Sequence, residues 1–318
     1  MNSTDLSFGM LIFLQFSLGL LLNVFLLLFY IRVASTSHRP SSSDLILAHL
    51  ALDNSIILLT SGVLETLSAW GLRNFLDDVG CKILMYLYRV AWGLAICTTC
   101  LLSVFQAVTI SPSTFRWAGI KVKLPKCILP SFLLSWILNM LIEMDTLIYM
   151  ISPQNNNSFQ IMLDLKYCSE ISDSEVTTLV ITVTLTVRDL FFVRLMSTAS
   201  NYMVFVLHRH HRQVRHLHGP SRSPKMMPQV RAAKRVITLV TLYVLLYGRQ
   251  TIMLSVLVNM KEKSPMLVKS HMVFRLTFSA VSPLLMIHSD RRIRIFVKRQ
   301  SPVSDTDPSN NNNNVGIC

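Results

Sequence analysis

Charge is what this chain has least of. Asp, Glu, Lys and Arg make up 15% of its 318 residues, where a soluble domain carries about 25%. Acidic residues are the scarcer kind, 17 against 30 basic ones. A nucleic-acid binder could share the net charge of +13, but not the 51% hydrophobic content, so no nucleic-acid partner is expected. Six cysteines are too few for a small secreted scaffold built on disulfides, and the apolar content excludes a disordered chain. Catalytic strings are missing as well: there is no HExxH, no P-loop and no GxSxG. The sequence therefore offers no enzyme reading, no metal centre and no cofactor. No Gly- or Pro-rich linker divides it, and no internal repeat is visible.

What is there is a series of long apolar runs. A bilayer span takes about 20 mostly apolar residues. Seven segments qualify: Phe8–Ile31, Leu45–Leu67, Ile83–Ile110, Ile128–Met150, Val176–Leu207, Val236–Val258 and Met266–Ile287. Lipid offers no partner to an open backbone, so each must be a helix. The predicted fold class is an all-α membrane protein, a seven-transmembrane helix bundle. The expected domains are a short extracellular N-terminus over 1–7, a seven-helix domain over 8–287 and a cytoplasmic tail over 288–318.

Lysine and arginine set the orientation. They crowd the loops of one side, as in Arg116, Lys121, Lys123 and Lys126, then Arg209 to Arg235, then Arg291 to Arg299. The other side holds only Arg73, Lys82, Lys166, Lys261, Lys263 and Lys269. This places the N-terminus outside and the C-terminus inside. With that topology only Cys81 and Cys168 face the oxidising side, so they are expected to pair. Asn2 and Asn156 head outward-facing N-glycosylation sequons. The inner segment after the fifth span carries His208, His210, His211, His216 and His218. A metal site is the sharper reading of these, and a cationic extension of the helix the favoured one. Ile293, Phe296 and Val297 share one face of a basic segment, which suits a short helix on the inner leaflet and a lipid partner. A low-complexity tail with an Asn run follows.

Several long strings carry a resemblance. HRPSSSDLILAHLAL enters the second span. GCKILMYLYRVAWGLAICTTCLLSVFQAVTISPSTFRWAGIKVKLPKCILPSFLLSWILNML runs through the third and fourth. RAAKRVITLVTLYVLLYGRQTI makes the sixth, and LTFSAVSPLLMI lies in the seventh. In order and spacing they resemble the vomeronasal type 1 receptors, a class of G-protein-coupled receptors for pheromone-like chemosignals. The resemblance runs from about Asn23 to about Val297. It implies a plasma-membrane protein that binds a small chemosignal outside and activates a Gi/Go-class heterotrimeric G protein inside. The rival reading is a membrane transporter or channel. Rhodopsin-like receptors usually end the third helix with an acidic-Arg-Tyr triplet. Val104-Phe105-Gln106 stands near that place here, so the usual activation switch does not carry over.

Charges inside spans are the last signal. Asp53, Glu65, Arg194 and Arg275 stand where small or apolar residues are expected. At about 1.5 Å per helical residue, Arg89, Arg188, Arg249 and Arg275 fall in the outer half of the bundle or near its middle. So do Glu65, Glu143 and Asp145. Ionisable groups in spans face the interior or a cavity and pair there. The predicted ligand contacts are Arg89, Arg188, Arg249 and Glu143, with Tyr86, Trp92, Tyr243 and Tyr247 as candidate walls. Four arginines against three acids leaves one guanidinium over, a place for an anionic or acceptor group on the ligand.

Overall fold

Leu14, Leu21 and Leu28 recur at seven-residue intervals on α1 (Ser3–Thr36) and are 62%, 69% and 61% exposed. On the opposite side of the same helix Ile12, Asn23, Leu26 and Tyr30 are buried. A helix that is apolar all round and half exposed has its outer face matched to lipid. The same pattern marks α5 (Phe115–Ile142), where Leu133, Leu134 and Leu141 stand exposed. The computed structural model describes residues 3–36, 41–72, 75–112, 115–152, 160–164, 168–172, 175–218, 228–259 and 265–300.

The described chain is nearly all helix. After α1 come α2 (Ser42–Ile57), a wide π turn over Leu58–Gly62 and α3 (Val63–Ala69), which continue one another. α4 (Asp78–Ile110) starts where the Asp77 side chain accepts the Gly80 N–H at 2.9 Å, a normal N-cap. α5 leads through a 3₁₀ turn, Glu143–Asp145, into α6 (Thr146–Tyr149). α7 (Glu175–His218), α8 (Pro228–Asn259), α9 (Pro265–Ser289) and α10 (Arg291–Gln300) complete the order. α8 begins at Pro228, ahead of the expected Val236, because proline is favoured in a first helical turn and basic residues continue the helix into water.

Among the described residues six helices are long and apolar enough to cross a membrane: Leu6–Thr36, Ser42–Ala69, Asp78–Ile110, Gly119–Tyr149, Gln229–Met253 and Ser270–Ser289. The segment expected as the fifth span lies within α7 and is helical throughout. It carries Arg188, Asp189 and Arg194, and these interrupt its apolar run. The chain is therefore a multi-pass membrane protein by its apolar helices.

α4 is the central rod. It packs against α2, α5, α7 and α8, while α1 packs on α2 and α9. A Cβ on Gly19 of α1 would come within 2.9 Å of the Ala280 Cα on α9, so only glycine allows that approach. Nearby, the buried Asn23 side chain donates to the Gly19 and Ser279 carbonyls, each at 2.8 Å. One strongly polar group thus ties two apolar helices.

A small sheet adds to the expected helices. β1 (Met150–Ile151), β2 (Gln160–Asp164) and β3 (Ser169–Ser172) pair antiparallel in the order β1-β3-β2. Met150 faces Glu170, and Ile161 faces Ile171. Sheet pairing satisfies the backbone of a segment that crosses over the bundle's end.

Candidate functional site

The Cys81–Cys168 disulfide, with Cα atoms 5.7 Å apart, joins the first turn of α4 to the residue before β3. Both cysteines are fully buried. A second tie lies beside it: the Asp78 carboxylate accepts the Ser152 N–H at 2.7 Å, and the Ser152 hydroxyl donates to the Leu76 carbonyl at 3.0 Å. Together they fix the sheet over the ends of α4 and α6.

Below that cover, Arg188 of α7 is the hub of a buried polar network. Its Nη1 donates to Glu143 Oε1 at 2.6 Å and to Asn139 Oδ1 at 3.3 Å, and its Nε to Asp189 Oδ1 at 2.9 Å. Asp189 Oδ2 in turn accepts the Tyr247 hydroxyl of α8 at 3.4 Å. Two carboxylates thus share one guanidinium that is 7% exposed. Gly93 makes room for it. A methyl there would overlap the Asn139 side-chain oxygen and lie 3.2 Å from Arg188 Nη1.

Two further arginines are paired. Arg275 of α9 has its Nε 2.8 Å from the Tyr88 hydroxyl and 3.5 Å from Glu65 Oε1, with its guanidinium 4.1 Å over the Tyr88 ring. Ser61, in the π turn, donates to the same Glu65 oxygen at 3.2 Å. Arg89 stands 3.8 Å from Asp145 and donates to Thr146 at 3.3 Å.

Arg249 of α8 differs. It donates to the Ser270 hydroxyl at 3.3 Å and lies over the Phe274 ring. Among the described residues it meets no carboxylate, and its buried Nη1 has no hydrogen-bond partner. Of the aromatic residues expected as walls, Tyr86 donates to the Met140 carbonyl at 3.0 Å, and the others meet further rings. Tyr243 and Tyr247 stack with ring centres 6.0 Å apart, Tyr243 meets Phe278 edge-on at 5.0 Å, and Tyr88 lies 6.3 Å from Trp92.

The half of the bundle away from the sheet holds two more polar groups. His49 stacks on Phe132, accepts the Trp136 N–H at Nε2 (3.0 Å) and faces Asp53 Oδ2 from Nδ1 at 3.0 Å. Because indole nitrogen only donates, the ring proton must sit on Nδ1. Thr98 completes the group with a 2.8 Å bond to Asp53. At the end of α9, Asp290 bridges Arg292 (3.1 Å) and Arg235 (3.5 Å), and Arg292 grips Asp44 with two bonds of 2.6 and 2.9 Å. Burial alone would push the Asp290 carboxyl up, but the Arg292 hydrogen bond and the Arg235 charge outweigh it and hold it below the usual carboxylate range. A depressed carboxyl contributes stability above its unfolded value of about 3.9 and loses it only as pH falls through the lower folded value. Asp290 therefore stays ionised at every physiological pH.

Of the expected ligand contacts, the structure brings Arg188 and Glu143 together as an ion pair, sets Arg89 on Asp145 and leaves Arg249 to polar and ring contacts alone. Arg194 is exposed on the outside of α7. Asn2 and Asn156 lie outside the described residues. Among the described residues no cluster of His, Cys, Asp and Glu is arranged to hold a metal. Asn139, Asp189, His49, Asp44, Arg235 and Asp290 are partners that the sequence alone does not single out. The signal for Asp189 is nonetheless visible there, since it stands beside Arg188 in the same apolar run.

Comparison with known proteins gives a consistent result. The model of the vomeronasal organ pheromone receptor family matches residues 6–299. Olfactory receptor class A-like protein 1 of Danio rerio is 34% identical over 287 residues, covering 90% of each chain. Vomeronasal type-1 receptor 3 of Homo sapiens is 39% identical over 242 residues, 76% of this chain and 78% of its own. Vomeronasal type-1 receptor 4 of Homo sapiens is 33% identical over 296 residues, 93% of this chain and 98% of its own.

Proposed function

Because the chain belongs to the vomeronasal organ pheromone receptor family, a family of receptors and not of enzymes, we propose that it is a seven-helix plasma-membrane receptor which binds small chemosignals in the outer half of its bundle and activates a Gi/Go-class G protein at its inner face. α7 serves as the fifth span in this reading, with Arg188 and Asp189 turned inward to pair with Glu143 and Tyr247. The N-terminus and the disulfide-tied sheet face outside, and α10 lies on the inner leaflet against anionic headgroups.

The observation that supports the site most is the difference among the arginines. Arg188, Arg275 and Arg89 each have a carboxylate; Arg249 has none among the described residues and keeps a buried Nη1 without a partner. A buried guanidinium is costly unless its charge is met. A ligand anion or acceptor on an apolar frame would meet it, and the fork suits a carboxylate or sulfate. Arg249 is thus the ligand's polar anchor in this reading, and Arg89, Arg188 and Glu143 are proposed as further contacts. Matched neutral and anionic analogues should differ in potency on the parent by about tenfold or more, as charge-assisted bonds of about 1.5–3 kcal/mol imply. Arg249→Ala should erase that difference at equal surface expression. Equal potency of the two analogues on the parent would end the anchor reading.

Topology has its own test. An epitope tag at the N-terminus should label intact cells, and one at the C-terminus only permeabilised cells. Asn156 should carry a glycan, seen as a glycosidase-sensitive mobility shift that Asn156→Gln removes. A C-terminal tag that labels intact cells would reverse the orientation.

A further inference from the structure

The inner ends of four elements meet in one ionic cluster. Asp44 stands in the first turn of α2, Arg235 near the start of α8, Asp290 at the corner between α9 and α10, and Arg292 in the first turn of α10. The two carboxylates and two guanidiniums balance in charge. The bonds are not equal. Arg292 holds Asp44 at 2.6 and 2.9 Å and Asp290 at 3.1 Å, and its backbone N–H caps onto Asp290 Oδ1 at 2.9 Å. That half joins α2 to the α9–α10 corner with short, forked contacts, the strong geometry for this pair. Arg235 reaches Asp290 at 3.5 Å and the Ser289 carbonyl at 3.3 Å, and its buried Nε has no hydrogen-bond partner among the described residues. The tie to α8 is therefore the weak member of a cluster whose other members are firmly set.

The surroundings make that weakness usable. At this end of α8, Ala233, Val236 and Leu239 are buried against the bundle while Gln229 and Lys234 are exposed. Apolar packing is non-directional, and the contacts of Arg235 to Asp290 and the Ser289 carbonyl add direction to what holds this end. α4 offers no charged substitute, since it bears Val104, Phe105 and Gln106 toward this end. Gln106 is committed to Ser43 at 3.0 Å, and Ser111 to Tyr202 at 3.0 Å.

We propose that Arg235, Asp290 and the Ser289 carbonyl form a latch that holds the inner end of α8 against the α9–α10 corner in the resting receptor, and that releasing it is a step toward the G-protein-engaging arrangement. The proposal rests on the receptor reading above only for its last clause. The Arg292–Asp44 fork is the fixed post of the latch: it keeps Asp290 in place while Arg235 comes and goes. A ligand opens the latch by binding the released arrangement better than the latched one.

The test uses the full chain in lipid nanodiscs, with Cys127→Ser and Cys318→Ser as background and spin labels at Gln229→Cys and Arg294→Cys. Gln229 stands at the exposed start of α8, and Arg294 is exposed on α10. The latch predicts one short distance population in the parent. Arg235→Gln and Asp290→Asn should each move part of it to longer distances; asparagine keeps the α10 cap, so the corner itself stays folded. Arg231→Gln, which removes a charge one turn earlier, should match the parent. Ligand-independent nucleotide exchange on a Gi/Go heterotrimer should rise roughly fivefold in the two latch variants, the size expected from loss of one ordinary hydrogen-bonded contact. Distances unchanged in both variants would overturn the latch, whatever the signalling. Lengthened distances without nucleotide exchange would keep the latch and remove the G-protein reading instead.

Discussion

Arg188→Ala should reach the cell surface at a small fraction of the parent level. The truncation leaves Glu143 and Asp189 buried, with no cation between them. Removing one partner of a buried pair costs about 3–5 kcal/mol, against a total stability of about 5–15 kcal/mol for a typical protein. Asn139 and Tyr247 lose a fixed neighbour at the same time, so α5, α7 and α8 loosen together. The variant should show a sharply lower thermal midpoint in detergent. Neutralising the site as a unit, with Arg188→Met, Glu143→Gln and Asp189→Asn, should recover much of the loss, because the cost comes from orphaned charge and not from lost volume. Gly93→Ala should act in the same direction by driving a methyl into Asn139. Wild-type surface level and midpoint for Arg188→Ala would show that the network carries no structural weight.

Cys81→Ser and Cys168→Ser should each abolish surface expression or ligand response, and the double variant should be no worse than either. The bond closes a loop of 87 residues, for which the chain-entropy account gives about 4.5 kcal/mol of stabilisation. Its larger effect is local. Without it the sheet over the bundle keeps the tie of Ser152 to Asp78 and Leu76 but loses its covalent one, and the cover over the proposed site loosens. Thiol mapping of the intact protein checks the bond itself, and surface labelling of the variants checks its consequence. Two single variants that traffic and respond like the parent would reduce the bridge to an ornament of the fold.

Some of this architecture is legible in the chain alone. Apolar runs of span length locate the helices, because lipid permits no other backbone. Cys81 and Cys168 stand out as a pair once the inward-facing and buried thiols are set aside. The surplus of arginine over acid in the outer half is a matter of counting, and Arg249 is the one the structure leaves without a carboxylate among the described residues. The count itself is incomplete. Asp189 escapes it because neighbours in a helix do not face one another, yet Arg188 is long enough to fold its Nε back onto it. The inner cluster is out of reach for a different reason: Asp44 and Arg292 are 248 positions apart, and no local pattern announces such a meeting. His49 gives no sign either, being a single imidazole on an apolar face whose partners Trp136 and Thr98 come from other helices. The sheet hides within a segment too polar and too short in its strands to suggest pairing.

The wide turn at Leu58–Gly62 gives the second rod two separate phases. A regular helix advances about 100° per residue, and a π turn accommodates one residue more than that rhythm allows. Everything beyond Gly62 is therefore rotated relative to what the inner half would dictate, and this rotation carries Glu65 to Arg275. His49, Asp53 and Asn54 keep their own bearings on the near side of the turn. Losing a single residue from this stretch would restore the regular rhythm with Glu65 close to its present bearing, whereas rewinding the same residues as regular helix would swing Glu65 by about a quarter of a circle, with the partners before the turn undisturbed. The width of this one turn thus sets the bearing of Glu65 independently of the residues that precede it.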